Sequence, residues 1–229
     1  MKANEINCLD IIHQLAKLHS NIEEFSFNSH HAYKLLQERI DTEGELKSSY
    51  TKALTIRETY SFPFWDSFNV SLFHTKLEDL SFLREVKFHN KIKKTYSITR
   101  ATVANFLVDQ QAVDMYLTFC SKVTFADGKI KHFPLLDFHI PVSAANENIC
   151  IGVLKALKLK GFLLDSGKSY HFYGKELLEQ EELISLLATA LLFAPIIDRA
   201  WVAHQLIERK CSLRISKKYE RLPLKIRSI

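Results

Sequence analysis

Two side chains able to hold a cation or move a proton, Asp137 and His139, sit two residues apart in Leu135-Leu136-Asp137-Phe138-His139-Ile140. Alternation along an extended chain puts both on one face and Leu136, Phe138 and Ile140 on the other. A bare carboxylate turned towards a core is costly, so the pair marks either a site or the wet face of an edge strand. Further on, Asp165-Ser166-Gly167-Lys168-Ser169-Tyr170-His171-Phe172-Tyr173 joins two short strand candidates through a Ser-Gly turn. The backbone N–H groups of such a turn, with Ser and Lys side chains nearby, make an anion-binding concavity. His171 shares a face with Ser169 and is placed to donate to a phosphate oxygen. A half-exposed His beside a Ser-Gly hairpin also occurs with no ligand to bind. Asp198 ends the apolar run Ala194-Pro195-Ile196-Ile197 and precedes a helical stretch with Trp201 and Leu206. It suits a helix N-cap as well as a cation ligand. Leu213-Arg214-Ile215-Ser216-Lys217 follows, with two cations.

These residues need elements to position them. Strand candidates are Phe133 to Ile140, Gly161 to Asp165, Lys168 to Tyr173 and Ser212 to Ser216. Helical stripes run over Asn146 to Leu159, Lys175 to Phe193 and Asp198 to Arg209. The order is strand, helix, two strands, helices and a late strand, which predicts an α+β core with helices on one sheet face. Upstream, apolar spacing predicts a helix over Ile6 to His19, a polar break at Ser26 to Ser29, and a helical stretch from His30 to Arg57 broken near Gly44. Phe64 to Phe73 and Val86 to Ile92 read as strands, Ala101 to Val108 as a short helix, and Met115 to Phe125 as a strand. Asp127-Gly128 closes a hairpin with the Ile130 to Ile140 segment. The domain reading is a helical leader over 1–60 followed by one α+β domain over 61–229. The aromatic cluster Phe62, Phe64, Trp65 and Phe68 fits a core seam better than a base-stacking platform. His30-His31, read as helical neighbours about 100° apart, fits the surface rather than a metal pair.

Composition excludes several classes. With 229 residues, 47% apolar, 25% charged and only 6 Gly and 5 Pro, the chain has the material for a sizeable core. Its longest apolar stretch, Leu183 to Ile197, is too short to span a bilayer. The start, Met1 to Asp10, lacks an apolar signal core, and a cytoplasmic location without membrane contact is the expectation. Cys8, Cys120, Cys150 and Cys211 lack CxxC spacing and read as buried reduced thiols. Net charge is +5, unevenly spread: Lys210 to Ile229 carries seven basic residues against Glu220 alone, and Arg84 to Arg100 is basic apart from Glu85. Such segregation suits either a polyanion-binding face or a solvated surface. There is no P-loop, Rossmann fingerprint or Ser/Cys triad.

Taken together, the three motifs over 133–226 resemble the archaeo-eukaryotic primase and primase-polymerase superfamily. Their order and their spacing of 34 and 27 residues (137 to 171, 171 to 198) match it. The resemblance implies an RRM-like catalytic core beside an N-terminal α/β unit, and Phe64 to Phe125 would supply that unit. It implies nucleotidyl transfer from nucleoside triphosphates on a nucleic-acid strand, in replication or repair, with Mn²⁺ or Mg²⁺. By match, Asp137 and Asp198, with His139, would hold metal and serve catalysis. Ser166, Gly167, Lys168, Ser169, His171 and Arg214 would hold the nucleotide, and Lys217, Lys218 and Arg221 the nucleic acid. The departure is His139, where the family has a second carboxylate. Imidazole is a poor Mg²⁺ ligand and favours a softer ion. The alternative is therefore a catalytically inactive nucleotide- or nucleic-acid-binding module.

Overall fold

The structure is a computed structural model of the 229-residue chain and describes residues 5–32, 40, 44–73, 75, 90–111, 116–217 and 221–229. In chain order the elements are helix α1 (Cys8–Leu18), strand β1 (Ile22–Ala32), helices α2 (Gly44–Tyr60) and α3 (Phe64–Ser71), strand β2 (Asn90–Thr99) and helix α4 (Val103–Gln111). Strands β3 (Leu117–Phe125), β4 (Ile130–His132) and β5 (Leu135–Asp137) follow, then helix α5 (Ala144–Ala156) and strands β6 (Gly161–Asp165) and β7 (Tyr170–Gly174). Helix α6 (Gln180–Ala190) with a 3-10 turn at Leu191–Phe193, helix α7 (Arg199–Glu208) and strands β8 (Ser212–Arg214) and β9 (Leu224–Ser228) complete the chain. The fold is α+β, with antiparallel sheets. It divides into two compact units: Met1–His30 with Ile92–Ile229, and His31–Lys91.

In the larger unit one sheet runs β2-β1-β3-β4, with β8 also on β3, and the other runs β5-β7-β6-β9. Side-chain alternation explains the first sheet. Phe27 lies opposite Phe119, and Phe119 opposite Leu213, making an apolar row. The next row is polar: Thr95 Oγ donates to Asn28 Oδ1 (2.9 Å), Asn28 lies opposite Thr118, and Thr118 opposite Arg214. Phe133 stacks on Phe25 at 6.4 Å, and Phe119 stacks on Tyr173 of the second sheet at 6.3 Å. Each such buried ring contributes about 1.5–3 kcal/mol of apolar burial. Helix α1 starts with a capping box in which Asn7 Oδ1 accepts from Asp10 N–H (3.4 Å) and Asp10 Oδ2 from Asn7 N–H (2.9 Å), Asn7 Oδ1 also accepting from Leu9 N–H (2.8 Å).

Several local expectations are corrected. The stretch Ser26 to Ser29 is the middle of β1, not a break, and buried His30 lies in the same strand, its Nε2 2.9 Å from Thr118 Oγ. A strand with one polar face, matched by polar cross-strand partners, reads as a loop when its partners are not in view. Phe64–Ser71 is a helix rather than a strand: Phe64, Phe68 and Leu72 recur at helical spacing, and Ser67 Oγ donates to Pro63 O. The Phe133 to Ile140 segment does not run on from β4, since β4 stays in the first sheet while Leu135–Asp137 crosses to the second. The late strand at Ser212–Arg214 joins the first sheet, and the unforeseen β9 forms the edge of the second. Helix α6 begins only at Gln180, where Glu179 and Glu182 form a capping box. The readings at Val86, Phe88 and Met115, and part of the His30 to Arg57 helix, lie outside the described residues.

The smaller unit has its own core of Ile40, Leu46, Ala53, Phe68 and Leu72, flanked by Tyr50, Phe64 and Trp65. Of the four clustered aromatics Phe68 is core and Phe64 and Trp65 pack against it, while Phe62 is 43% exposed and stacks on Tyr60. All four cysteines are buried and outside disulfides. Burial pushes the Cys8, Cys120 and Cys150 thiols up to about 12 and raises Cys211 as well, which makes them poor nucleophiles. Among the described residues no helix is long and apolar enough to cross a membrane.

One buried group predicts the protein's acid response. Ser121 Oγ accepts from Cys211 N–H (2.8 Å) and lies within hydrogen-bond reach, 3.1 Å, of His132 Nδ1. Burial, aided by Lys122 and opposed by Gln180 and Glu179, brings His132 down to about 4 from its usual 6.5. The unfolded chain therefore takes up this proton first, and stability is lost as pH falls from 6.5 towards 4. Each unit crossed costs about 1.4 kcal/mol. In urea unfolding, the wild-type midpoint is expected to fall more steeply over that window than that of His132→Gln. Equal slopes would show that His132 is not the group responsible.

Candidate functional site

Asp137 is the last residue of β5 and lies directly opposite His171 of β7, so the two side chains share a face. His171 Nε2 is 3.7 Å from Asp137 Oδ1, and both groups are largely buried, the His171 side chain being 8% exposed. The chain beyond β5 is held on both sides: Phe138 N–H donates to Tyr170 O (2.9 Å) and His139 N–H to Ile196 O (2.8 Å). Phe138 forms a bridge with Ile197, and Asp198 N–H donates to Asp137 O (3.0 Å). Residues 61 positions apart (137 to 198) are thereby backbone neighbours.

Asp198 fills the N-cap of α7 as well as facing this cluster. Its Oδ1 accepts from Ala200 N–H (2.9 Å) and Trp201 N–H (3.0 Å), while Oδ2 lies 3.4 Å from His139 Nδ1. The cap expectation and the cluster expectation are therefore compatible, one on each oxygen. His139 is 72% exposed, at the rim of the cluster.

Helix α7 in turn places Arg214. Trp201 Nε1–H donates to Ser212 O (3.0 Å), and Gln205 Oε1 accepts from Ser212 N–H (2.8 Å), fastening the helix to β8. Arg214, 8% exposed, then reaches the second sheet, donating through Nη2 to Ser166 O (2.7 Å) and through Nη1 to Ser216 O. The turn it braces is closed by Ser166 N–H to Ser169 O (2.9 Å) and by Ser166 Oγ–H to the same oxygen (3.1 Å). Gly167 has φ +107°, a conformation that a side chain would strain. Its N–H is held by Asp165 Oδ1 (2.7 Å).

The structure thus gathers Asp137, His139, His171 and Asp198 in one cluster and ties the Ser166–Ser169 turn to it through β7 and Arg214. Lys168 and Lys217 are exposed, and Lys218 lies outside the described residues. Arg221 points to the turn, with Nη2 2.9 Å from Asp165 Oδ2. Two further residues belong to this neighbourhood. Asp165 carries a visible signal, since an Asp two residues before a turn glycine commonly accepts its N–H. Tyr116 has none: burial raises its phenol, Arg214 opposes that rise and Asp137 adds to it, and its ring meets His30 edge-on at 5.3 Å.

Among the described residues no group of three His, Cys, Asp or Glu side chains forms a metal cage. Ions that work on nucleotides commonly take one or two carboxylates and complete their shell with phosphates and water. Asp137 and Asp198, on directly paired backbone, fit that smaller requirement. The acid-x-His arrangement departs from the two-acid strand and makes His139 the weaker partner for a hard ion.

No curated protein and no solved structure matches this chain. A family model described as archaeo-eukaryotic primase 1D-like matches residues 94–225, more than half of the chain and inclusive of Asp137, the Ser-Gly turn, Asp198 and Arg214. The chain belongs to the archaeo-eukaryotic primase-like family.

Proposed function

We propose that the larger unit is a nucleotidyltransferase of primase-polymerase type, acting on nucleoside triphosphates and a nucleic-acid strand with Mn²⁺ or Mg²⁺. The observation that carries this is the meeting of Asp137 and Asp198 on paired backbone, with His171 3.7 Å from Asp137. The sheet order β5-β7-β6, with helix α5 between β5 and β6, supports an RRM-like core. Asp137 and Asp198 would hold the ion. When bound, such an ion lowers the pKa of an attacking hydroxyl and neutralises charge on the triphosphate. The chain's own groups do the positioning. His171, fixed between the turn and Asp137, orients the phosphates. Ser166 N–H and Gly167 N–H close the turn, so the N–H groups of Lys168 and Ser169 are the ones that cradle them, and Arg214 holds Ser166 O away from the anion. Lys168 and Lys217 add exposed positive charge that draws a polyanion in.

One observation favours a second reading, a binding module without catalysis: His139 faces the Asp198 oxygen that the helix cap leaves open, at 3.4 Å. Calorimetry of nucleoside triphosphate with and without Mn²⁺ or Mg²⁺, on wild type and His171→Ala, separates the readings. Metal-dependent binding that weakens about tenfold or more in His171→Ala, the worth of a charge-assisted hydrogen bond, is the expected result. Binding indifferent to metal selects the silent module. An absence of binding by wild type under every metal would sink the nucleotide site.

A further inference from the structure

Asp165 is a carboxylate at the base of a turn read above as a phosphate cradle, where a negative charge opposes the ligand. It is 8% exposed, and both oxygens are engaged: Oδ1 with Gly167 N–H at 2.7 Å, and Oδ2 with Arg221 Nη2 at 2.9 Å. Strand β9 makes that second contact a built feature, because Leu224 lies opposite Asp165 and Lys225 opposite Leu164. The segment entering β9 therefore runs alongside the end of β6 and brings Arg221 to the turn. A guanidinium has five N–H donors in a fixed fork. Asp165 uses the Nη2 side, and the Arg221 side chain remains 46% exposed. With Arg214 donating to Ser166 O, two guanidinia from one short stretch of chain flank the four residues Ser166–Ser169.

We propose that Arg221 is a ligand of the nucleotide's phosphates rather than of the nucleic-acid strand, and that Asp165 is the positioning residue that holds it at the turn. The proposal rests on the nucleotide-site reading above. Asp165 orients the fork, so that the donors facing solvent meet an incoming phosphate already aligned. A merely stabilising ion pair would move protein stability and leave ligand affinity alone.

The test measures Mn²⁺–nucleoside triphosphate affinity by calorimetry and single-stranded oligonucleotide affinity by fluorescence anisotropy. The proteins are wild type, Arg221→Ala, Arg221→Lys, Asp165→Asn and the Asp165→Asn/Arg221→Ala double variant. Asp165→Asn keeps an oxygen for Gly167 N–H and so preserves the turn, while half-exposed Arg221 is removable without disturbing a core. Loss of one charge-assisted hydrogen bond predicts about tenfold weaker triphosphate binding in Arg221→Ala and in Asp165→Asn. The double variant should be no weaker than Arg221→Ala alone, since the two residues act as one unit. Arg221→Lys should recover part of the loss. Oligonucleotide affinity should change less than about twofold, the range of an exposed surface charge. Unchanged or tighter triphosphate binding in Asp165→Asn would overturn the positioning role. Loss of oligonucleotide affinity in Arg221→Ala, with triphosphate binding intact, would return Arg221 to the nucleic-acid surface. If wild type binds no triphosphate, the nucleotide site itself fails. If wild type binds and the variants match it, only this assignment fails.

Discussion

On the proposed nucleotidyltransferase reading, Asp137→Asn is expected to lower metal-dependent nucleotide addition by at least about 100-fold, because several kcal/mol of charge stabilisation would rest on the ion that this carboxylate would hold. The amide keeps the size of the side chain and the backbone bonds around position 137 do not involve it, so the loss of thermal stability should be limited to the weakened contact with His171. Asp198 supplies the internal control. Its Oδ1 caps α7 through Ala200 and Trp201 N–H, so Asp198→Ala removes the cap and the proposed ion ligand together. Loss of the cap alone costs about 1 kcal/mol, or about 2–4 °C in Tm for a chain of this size. Asn caps as well as Asp, so Asp198→Asn should lose metal-dependent binding at nearly unchanged Tm. Activity and melting curves on the three variants separate the two roles. Full activity in both Asn variants would remove the carboxylates from the chemistry. His139→Asp completes the set by restoring the acid-x-acid pattern of the family. If it creates activity that the wild type lacks, the natural protein is the binding module.

The second large effect concerns the frame of the site. Gly161→Ala should destabilise the larger unit by about 3 kcal/mol, the upper part of the range for overpacking a close-packed core. A Cβ at 161 would lie 2.2 Å from Tyr173 O and 2.7 Å from Phe172 Cζ. The first of these is backbone in the β6–β7 ladder, which also sets Leu164 opposite His171 and Asp165 opposite Tyr170. Relief requires the ladder itself to shift, so no side-chain rotation absorbs the clash. The expected Tm decrease is about 6–12 °C, accompanied by weaker nucleotide binding because His171 and the turn ride on the same strands. A variant that melts like wild type would show that the strands part more easily than their packing indicates.

Much of the candidate site's local structure was legible in the residues because its signals are local. Alternation over 135–140 gave Asp137 and His139 a common side of the chain, the Ser-Gly pair announced the turn, and an acid before Trp201 announced a helix cap. In each case the deciding interaction spans a few residues, and residue type alone carries it. The same holds for α1, α5 and α7, whose caps and apolar stripes are sequence-adjacent.

What only the tertiary structure decided are the partners. Periodicity tells which side chains share a face and says nothing of which strand will lie alongside. Thr118 and Arg214 are 96 residues apart (118 to 214) yet sit opposite each other, so a strand assigned by order to the second sheet belongs to the first. Polar Ser26 to Ser29 becomes strand because Asn28 finds Thr95 and Thr118. Arg221, one cation among seven in the tail, acquires a defined place only through the pairing of β9 with β6. Residue types therefore determined which chemistry the chain is equipped for. Non-local strand pairing, driven by burying one face of each sheet against the other, decided which of those groups meet.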